Sequence, residues 1–241
     1  MSNNIHPKIG IVSGVGPLAG SDVLASVFKY TAQHYGAVED TDYPDLILIS
    51  KGIEGIGNTA TMSDSFRTGI QNSVTSLEMY GANIIGIACN TAHAYLDSLT
   101  ITPGVKMVNL IEAVATQSAT IHQTCLLLTS SGAKQQKLYQ HYLDSKNVKY
   151  VETTYKQQKL VDSVIALVMA HKLPQAGARM QKIFEQAKKS GIDTIIAGCT
   201  ELPLAIKHCP DTFGVEVINS NDELAKALVK EYYAAILTNV S

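Results

Sequence analysis

Two cysteines occupy matching places in a repeated pattern. Cys89 closes the run Gly81-Ala82-Asn83-Ile84-Ile85-Gly86-Ile87-Ala88-Cys89, and Cys199 closes Gly191-Ile192-Asp193-Thr194-Ile195-Ile196-Ala197-Gly198-Cys199. The cysteines lie 110 residues apart, as do the leading glycines. Each thiol follows an apolar run that reads as a buried strand. In open α/β sheets ligands sit beyond the carboxyl ends of strands, so both thiols are expected to border such a crevice. A helix amino end beside each would favour thiolate. If two like lobes face each other, the thiols reach a ligand from opposite sides. That arrangement suits inversion at a carbon. One thiolate takes a proton from one face and the other thiol delivers a proton to the opposite face. A cysteine pKa of about 8.5 keeps both forms accessible.

Each candidate also has a plainer reading. Free cysteine is often a small buried hydrophobe, and Cys125 reads that way; Cys209, before Pro210, reads as a loop residue. Asn90, Thr91, Thr200 and Glu201 follow the two thiols. Their polar groups and the exposed backbone N–H groups suit a carboxylate or ammonium ligand, although Glu201 could equally complement a helix dipole. The turn Gly14-Val15-Gly16-Pro17 follows the first strand and lacks the third glycine of a dinucleotide-binding loop. Ser13, Gly14 and Val15 are therefore expected to offer a hydroxyl and backbone donors to an anion. Thr129, Ser130 and Ser131 form the counterpart loop, for ligand contact or helix capping. Lys172 is a candidate for a distal carboxylate, or a solvated helix-end cation. His93 could tune Cys89 or be a satisfied helix histidine. Lys51 and Arg67 are weaker candidates, otherwise surface charges.

The elements that must hold these residues alternate along the whole chain. Strands are expected at residues 8–13, 45–50, 83–88, 106–108, 124–129, 150–152, 194–197 and 215–218. Helices are expected at 18–34, 63–80, 110–121, 135–143, 160–171, 176–190 and 222–237. This alternation implies βαβ units and parallel sheets covered on both faces. The repeat divides the chain into two α/β lobes, expected at residues 1–103 with 216–241 and at 104–215.

Composition sets the outer bounds. The 241 residues are 46% hydrophobic and 17% charged, enough for a large core and unlike a disordered chain. Net charge is −2 with scattered basic residues, which argues against nucleic-acid or anionic-membrane partners. No run is long enough to span a membrane. The amino-terminal residues carry no apolar signal core, so a cytoplasmic location is expected. Without a CxxC pair, no structural metal site is expected.

Taken together, Gly14-Val15-Gly16-Pro17-Leu18-Ala19, Cys89-Asn90-Thr91-Ala92-His93 and Gly198-Cys199-Thr200-Glu201-Leu202-Pro203-Leu204 resemble the aspartate/glutamate racemase family. The resemblance implies a cofactor-independent amino-acid racemase, needing neither PLP nor metal. It implies two flavodoxin-like lobes with the site in the cleft between them, and a homodimer. It further implies that Cys89 and Cys199 are the two bases, that Asn90, Thr91 and Thr200 hold the α-carboxylate and amino group, and that Lys172 meets the side-chain carboxylate. Many aspartate racemases carry Pro-Asp-Arg-Thr after the second strand, where this chain has Ser50-Lys51-Gly52-Ile53-Glu54. It also has Val15 where the family often has methionine. The expected substrate is aspartate or glutamate, with neutral amino acids left open. Three other readings share the cleft: hydantoin racemisation, cis–trans isomerisation of a diacid through a covalent cysteine, and non-catalytic amino-acid binding.

Overall fold

A computed structural model of the chain describes residues 6–53 and 63–240; Glu54 lies outside them. Among the described residues, eight strands form two four-stranded parallel sheets. The first contains β1 (Ile9–Ser13), β2 (Leu46–Ser50), β3 (Ile84–Ile87) and β4 (Lys106–Val108), in the order β2-β1-β3-β4. The second contains β5 (Cys125–Thr129), β6 (Tyr150–Glu152), β7 (Thr194–Gly198) and β8 (Glu216–Asn219), in the order β6-β5-β7-β8. The topologies are the same, with β3 matching β7, so the sequence repeat is a structural one. β1, β3, β5 and β7 are the inner strands and are buried throughout. That explains their unbroken apolar sequence. The outer strands are partly exposed.

The helices are α1 (Pro17–Tyr35), α2 (Asp64–Met79), α3 (Leu110–Ser118), α4 (Ser131–Gln135), α5 (Gln140–Ser145), α6 (Tyr155–Met169), α7 (Leu173–Lys189), α8 (Leu202–Ile206) and α9 (Ser220–Val240). Several depart from the sequence reading. The helix expected at 135–143 is two short ones, broken where Lys137 takes a left-handed φ of 51°. α6 starts earlier than expected because Thr154 and Gln157 form a capping box. The stretch after Cys89 is a 3-10 helix, Thr91–Ser98, not an α-helix.

The lobes exchange helices. α3 follows β4 of the first sheet yet packs on β7 and β8, while α9 follows β8 and packs on α1, β3 and β4. One core cluster therefore draws on both sheets: Ile9, Ile11 and Ile84 from the first, Cys125, Leu127 and Ile196 from the second, with α1, α3 and α9 between. The lobe boundaries expected at 103/104 and 215/216 need correction at the strands. β4 pairs with β3 in the first sheet, and β8 pairs with β7 in the second.

Leu228 of α9 is fully buried in this shared core. Leu228→Ala is expected to lower unfolding free energy by about 2–5 kcal/mol. Urea denaturation would measure the loss; a value near zero would contradict the shared core.

Candidate active site

Both cysteines stand at the carboxyl ends of inner strands, Cys89 just past β3 and Cys199 just past β7, and each is 6% exposed. Burial pushes the Cys89 thiol up to about 12, and the Glu201 carboxylate adds to the rise. Backbone N–H groups of Ala92 and Thr91 work against it. Burial likewise holds Cys199 well above the ordinary thiol range, reinforced by the charge and hydrogen bond of Glu201 and by Cys89 itself. The two sites are therefore close enough for a charge on Cys89 to raise the cost of ionising Cys199. The backbone N–H groups that follow each thiol do favour thiolate, as expected, but desolvation outweighs them, so neither thiol is ionised readily.

Glu201 lies between the lobes. Its Oε2 accepts a hydrogen bond from the Cys199 thiol at 3.0 Å and from the Thr200 hydroxyl at 3.2 Å. Its Oε1 faces Gly16 at the amino end of α1. A Cβ built on Gly16 would fall 2.2 Å from that oxygen, and its φ is +77°. The left-handed φ favours glycine at position 16, and any side chain there would also push the second lobe's carboxylate aside. Gly14 is a second enforced glycine, with φ +97° and the Lys51 carbonyl oxygen 1.9 Å from where a Cβ would sit. Val15 packs in the same buried cluster as Cys89. Ser13 is 2% exposed, and its hydroxyl has no hydrogen-bond partner among the described residues.

A buried polar chain crosses from one lobe to the other. The Tyr139 hydroxyl donates to Asn90 Oδ1, and Asn90 Nδ2 donates to Ser220 Oγ at 3.4 Å. The Tyr139 ring lies against Gly198, where a Cβ would come within 2.8 Å of it. With its oxygen taken by Tyr139 and one N–H by Ser220, the Asn90 amide has its second N–H left to donate. Thr91 and Ser130 share a hydrogen bond at 3.4 Å across the cleft. Asn221 Nδ2 donates to the Thr200 carbonyl at 3.1 Å and to Asp22 of α1 at 2.7 Å; Asp22 also pairs with Lys207. This ties the Cys199 loop to the first lobe.

The structure therefore gathers Cys89, Cys199, Thr200 and Glu201, with Asn90, Thr91 and Ser130 at their edge. Other candidates have separate partners. Ser131 donates through its backbone and hydroxyl to Asp162, at 3.3 and 2.6 Å. The Thr129 carbonyl accepts from Gln158 at 2.9 Å. Lys172 is exposed and leads into α7, which packs on α8; it makes no ion pair among the described residues. Lys51 is exposed and Arg67 is partly buried. Tyr139 and Asn221 escaped the sequence reading, and Gly16 was read only as part of the Gly14–Pro17 turn. Tyr139 sits in a run without regular spacing, and nothing local points to a partner in the other lobe. Among the described residues, no three His, Cys, Asp or Glu side chains converge as metal ligands. A surface groove of about 410 Å³ between α3 and α9 contains none of these residues.

His93 has a structural role. Nδ1 donates to the Cys89 carbonyl at 2.8 Å, and Nε2 accepts from the Leu110 amide at 3.1 Å. Both nitrogens are used by a neutral ring, and burial pushes its pKa down to about 4. In the unfolded chain the imidazole protonates at about 6.5. Its contribution is thus present above that pH and is lost as pH falls toward 4, a loss of about 3 kcal/mol. Stability curves of wild type and His93→Gln should converge across this window. A constant difference would rule out the neutral-histidine assignment.

The chain's relatives fit this geometry. The model of the Asp/Glu/Hydantoin racemase family matches residues 12–228. The broad-specificity amino-acid racemase RacX of Bacillus subtilis (strain 168) is 26% identical over 226 residues, covering 94% of this chain and 98% of the relative. Among solved structures, Picrophilus torridus aspartate racemase superposes with a TM-score of 0.80 at 25% identity, over 94% of each chain. The Bacillus anthracis glutamate racemase isoform RacE1 shares the fold, with a TM-score of 0.68 at 18% identity over 95% of this chain and 83% of the other. With its two like sheets and the two cysteines at their inner strand ends, this chain belongs to the Asp/Glu/hydantoin racemase family.

Proposed function

We propose that the protein interconverts L- and D-amino acids by proton transfer between Cα and the two thiols of Cys89 and Cys199. The observation that carries this reading is the placement of the two cysteines at the carboxyl ends of matching inner strands, both buried. One thiolate opposite one thiol is the state that two-base inversion needs.

The site's charge balance favours an amino acid over the rival ligands. Both thiols are raised by burial and by Glu201, and no cationic side chain among the described residues offsets them. A zwitterion brings its own ammonium, which favours a thiolate beside it. A hydantoin is neutral and a diacid is anionic, so neither supplies that charge.

The steps follow from the donors in place. Asn90 N–H and the Thr91 hydroxyl receive the α-carboxylate, while the Thr200 oxygen, whose proton is engaged by Glu201, accepts from the ammonium. The thiolate removes the Cα proton, and the electron pair spreads into the carboxylate, where fixed donors stabilise it. The opposite thiol then returns a proton to the other face. With each cysteine 6% exposed, the proposal includes an opening of the lobes for substrate entry and a closing for chemistry. Aspartate or glutamate is the proposed substrate, with Lys51 or Lys172 meeting the distal carboxylate. RacX, with its broad specificity, makes neutral amino acids the main alternative. The homodimer and the cytoplasmic location belong to the same proposal.

Proton NMR in D₂O, with a panel of L- and D-amino acids and no added cofactor, tests the reading. Solvent deuterium should appear at Cα together with the opposite hand, and Cys89→Ala and Cys199→Ala should each abolish formation of that hand while melting normally. Near-full racemisation by either variant would sink the two-thiol mechanism. Exchange with hydantoins alone, a covalent cysteine adduct with a diacid, or ligand stabilisation without turnover would each install the matching rival.

Tyr139→Phe keeps the ring against Gly198 but leaves Asn90 Oδ1 unpaired, at a cost of about 1–3 kcal/mol. The amide can then turn its oxygen toward the substrate carboxylate. We expect kcat/KM to fall about ten- to hundredfold, mostly through KM. Unchanged steady-state kinetics would show that the tyrosine does not orient Asn90.

A further inference from the structure

The two half-sites match in strand position and exposure but not in partners. Cys89 receives backbone N–H groups of Ala92 and Thr91, which favour negative sulfur, and no carboxylate is within hydrogen-bonding contact of it among the described residues. Cys199 receives the Glu201 N–H alone, and its own proton is directed at Glu201 Oε2, 3.0 Å away. The same oxygen is fixed by the Thr200 hydroxyl at 3.2 Å, and the carboxylate abuts the amino end of α1 at Gly16, where the helix dipole attracts negative charge.

We propose that Glu201 is a positioning residue that makes the two thiols unequal, holding the proton on Cys199 so that Cys89 is the thiol that ionises first. Glu201 is thereby engaged by the protein's own thiol and hydroxyl, in place of the substrate contact expected from the sequence. The catalytic meaning of this bias rests on the two-thiol reading above; the bias itself does not. The groups facing Cys199 are Glu201 on its own loop, Cys89 at the end of β3 and Tyr139 from the turn before α5. Those facing Cys89 are Glu201 and the neutral His93, whose ring holds the Cys89 carbonyl. Of these groups, Glu201 alone combines a charge with a hydrogen bond to one sulfur and not the other.

Alkylation measures the bias without turnover, because thiolate is the reactive form. The full-length protein would be treated with iodoacetamide across about pH 8 to 10, and modification of Cys89 and Cys199 followed by peptide mass spectrometry. The two cysteines are equally exposed as residues, 6% each, and comparing wild type with Glu201→Gln cancels any fixed difference in access to the two sulfurs. Cys89 should react first at every pH. Glu201→Gln should raise the ratio of Cys199 to Cys89 modification by about tenfold or more, the effect of one pKa unit, and Glu201→Asp should restore part of the difference. Preferential alkylation of Cys199 in the wild type overturns the proposal, as does an unmoved ratio in folded Glu201→Gln. Should Glu201→Gln fail to fold, the wild-type order alone decides. Failure of the racemase reading would look different: no Cα exchange in D₂O with the alkylation order intact.

Discussion

The structure depends on placing two ionisable thiols and a carboxylate together where water is largely excluded. Desolvation disfavours every charged form in the site, and the negative charge of Glu201 disfavours thiolate further. An amino acid changes that balance by bringing an ammonium. On this view the base is created by the substrate rather than held ready in the free protein. The site is then protected from solvent proton exchange and from alkylating or oxidising agents between turnovers, since both act chiefly on thiolate.

Keeping such a site dry requires lobes that meet closely, and helix exchange supplies this. α3 and α9 each follow a strand of one sheet and pack on the other, so Leu110, Ile111, Leu224 and Leu228 are buried in one cluster with both sheets. Rigid separation of the lobes would expose that cluster, at roughly 25 cal/mol per Å² of apolar surface. Small rotations are cheaper, because the polar contacts near the cleft are single hydrogen bonds or ion pairs: Thr91 with Ser130, Asn90 with Tyr139 and Ser220, Asp22 with Asn221 and Lys207, and Glu201 against Gly16. The arrangement therefore favours limited opening at the strand ends over full separation of the lobes.

Much of this was legible in the sequence because periodicity is local. The repeat around Cys89 and Cys199 gave the two central strands, and βαβ alternation gave parallel sheets. What could not be read were contacts made between lobes. Tyr139 reaches Asn90 across 49 positions, and Asn221 reaches Asp22 across 199. Neither has a spacing signature, because the partner is chosen by packing. Helix exchange was partly hidden for the same reason: the apolar face of α3 is visible in sequence, but not which sheet it covers. Glu201 was noticed as a ligand contact or as an acid complementing a helix dipole. Its side chain is taken up by Cys199 and Thr200, a pairing that the short spacing of Cys-Thr-Glu permits but does not require.

The asymmetry at Glu201 has a thermodynamic limit. Enantiomers are equal in free energy, so their equilibrium ratio is unity and kcat/KM must be the same in both directions for any racemase. A proton held on Cys199 therefore cannot make the protein selective for one hand in kcat/KM. It acts by setting which ionisation state predominates, and so changes kcat and KM for the two hands in compensating ways. The hand whose Cα–H faces Cys89 meets the favoured state. The other must first draw the proton off Cys199, against the pull of Glu201. Broad substrate range is compatible with this, since the bias is built into Cα chemistry and makes no contact with the amino-acid side chain. On the two-thiol reading, specificity would then fall to residues at the rim, and proton placement to those at the base of the cleft.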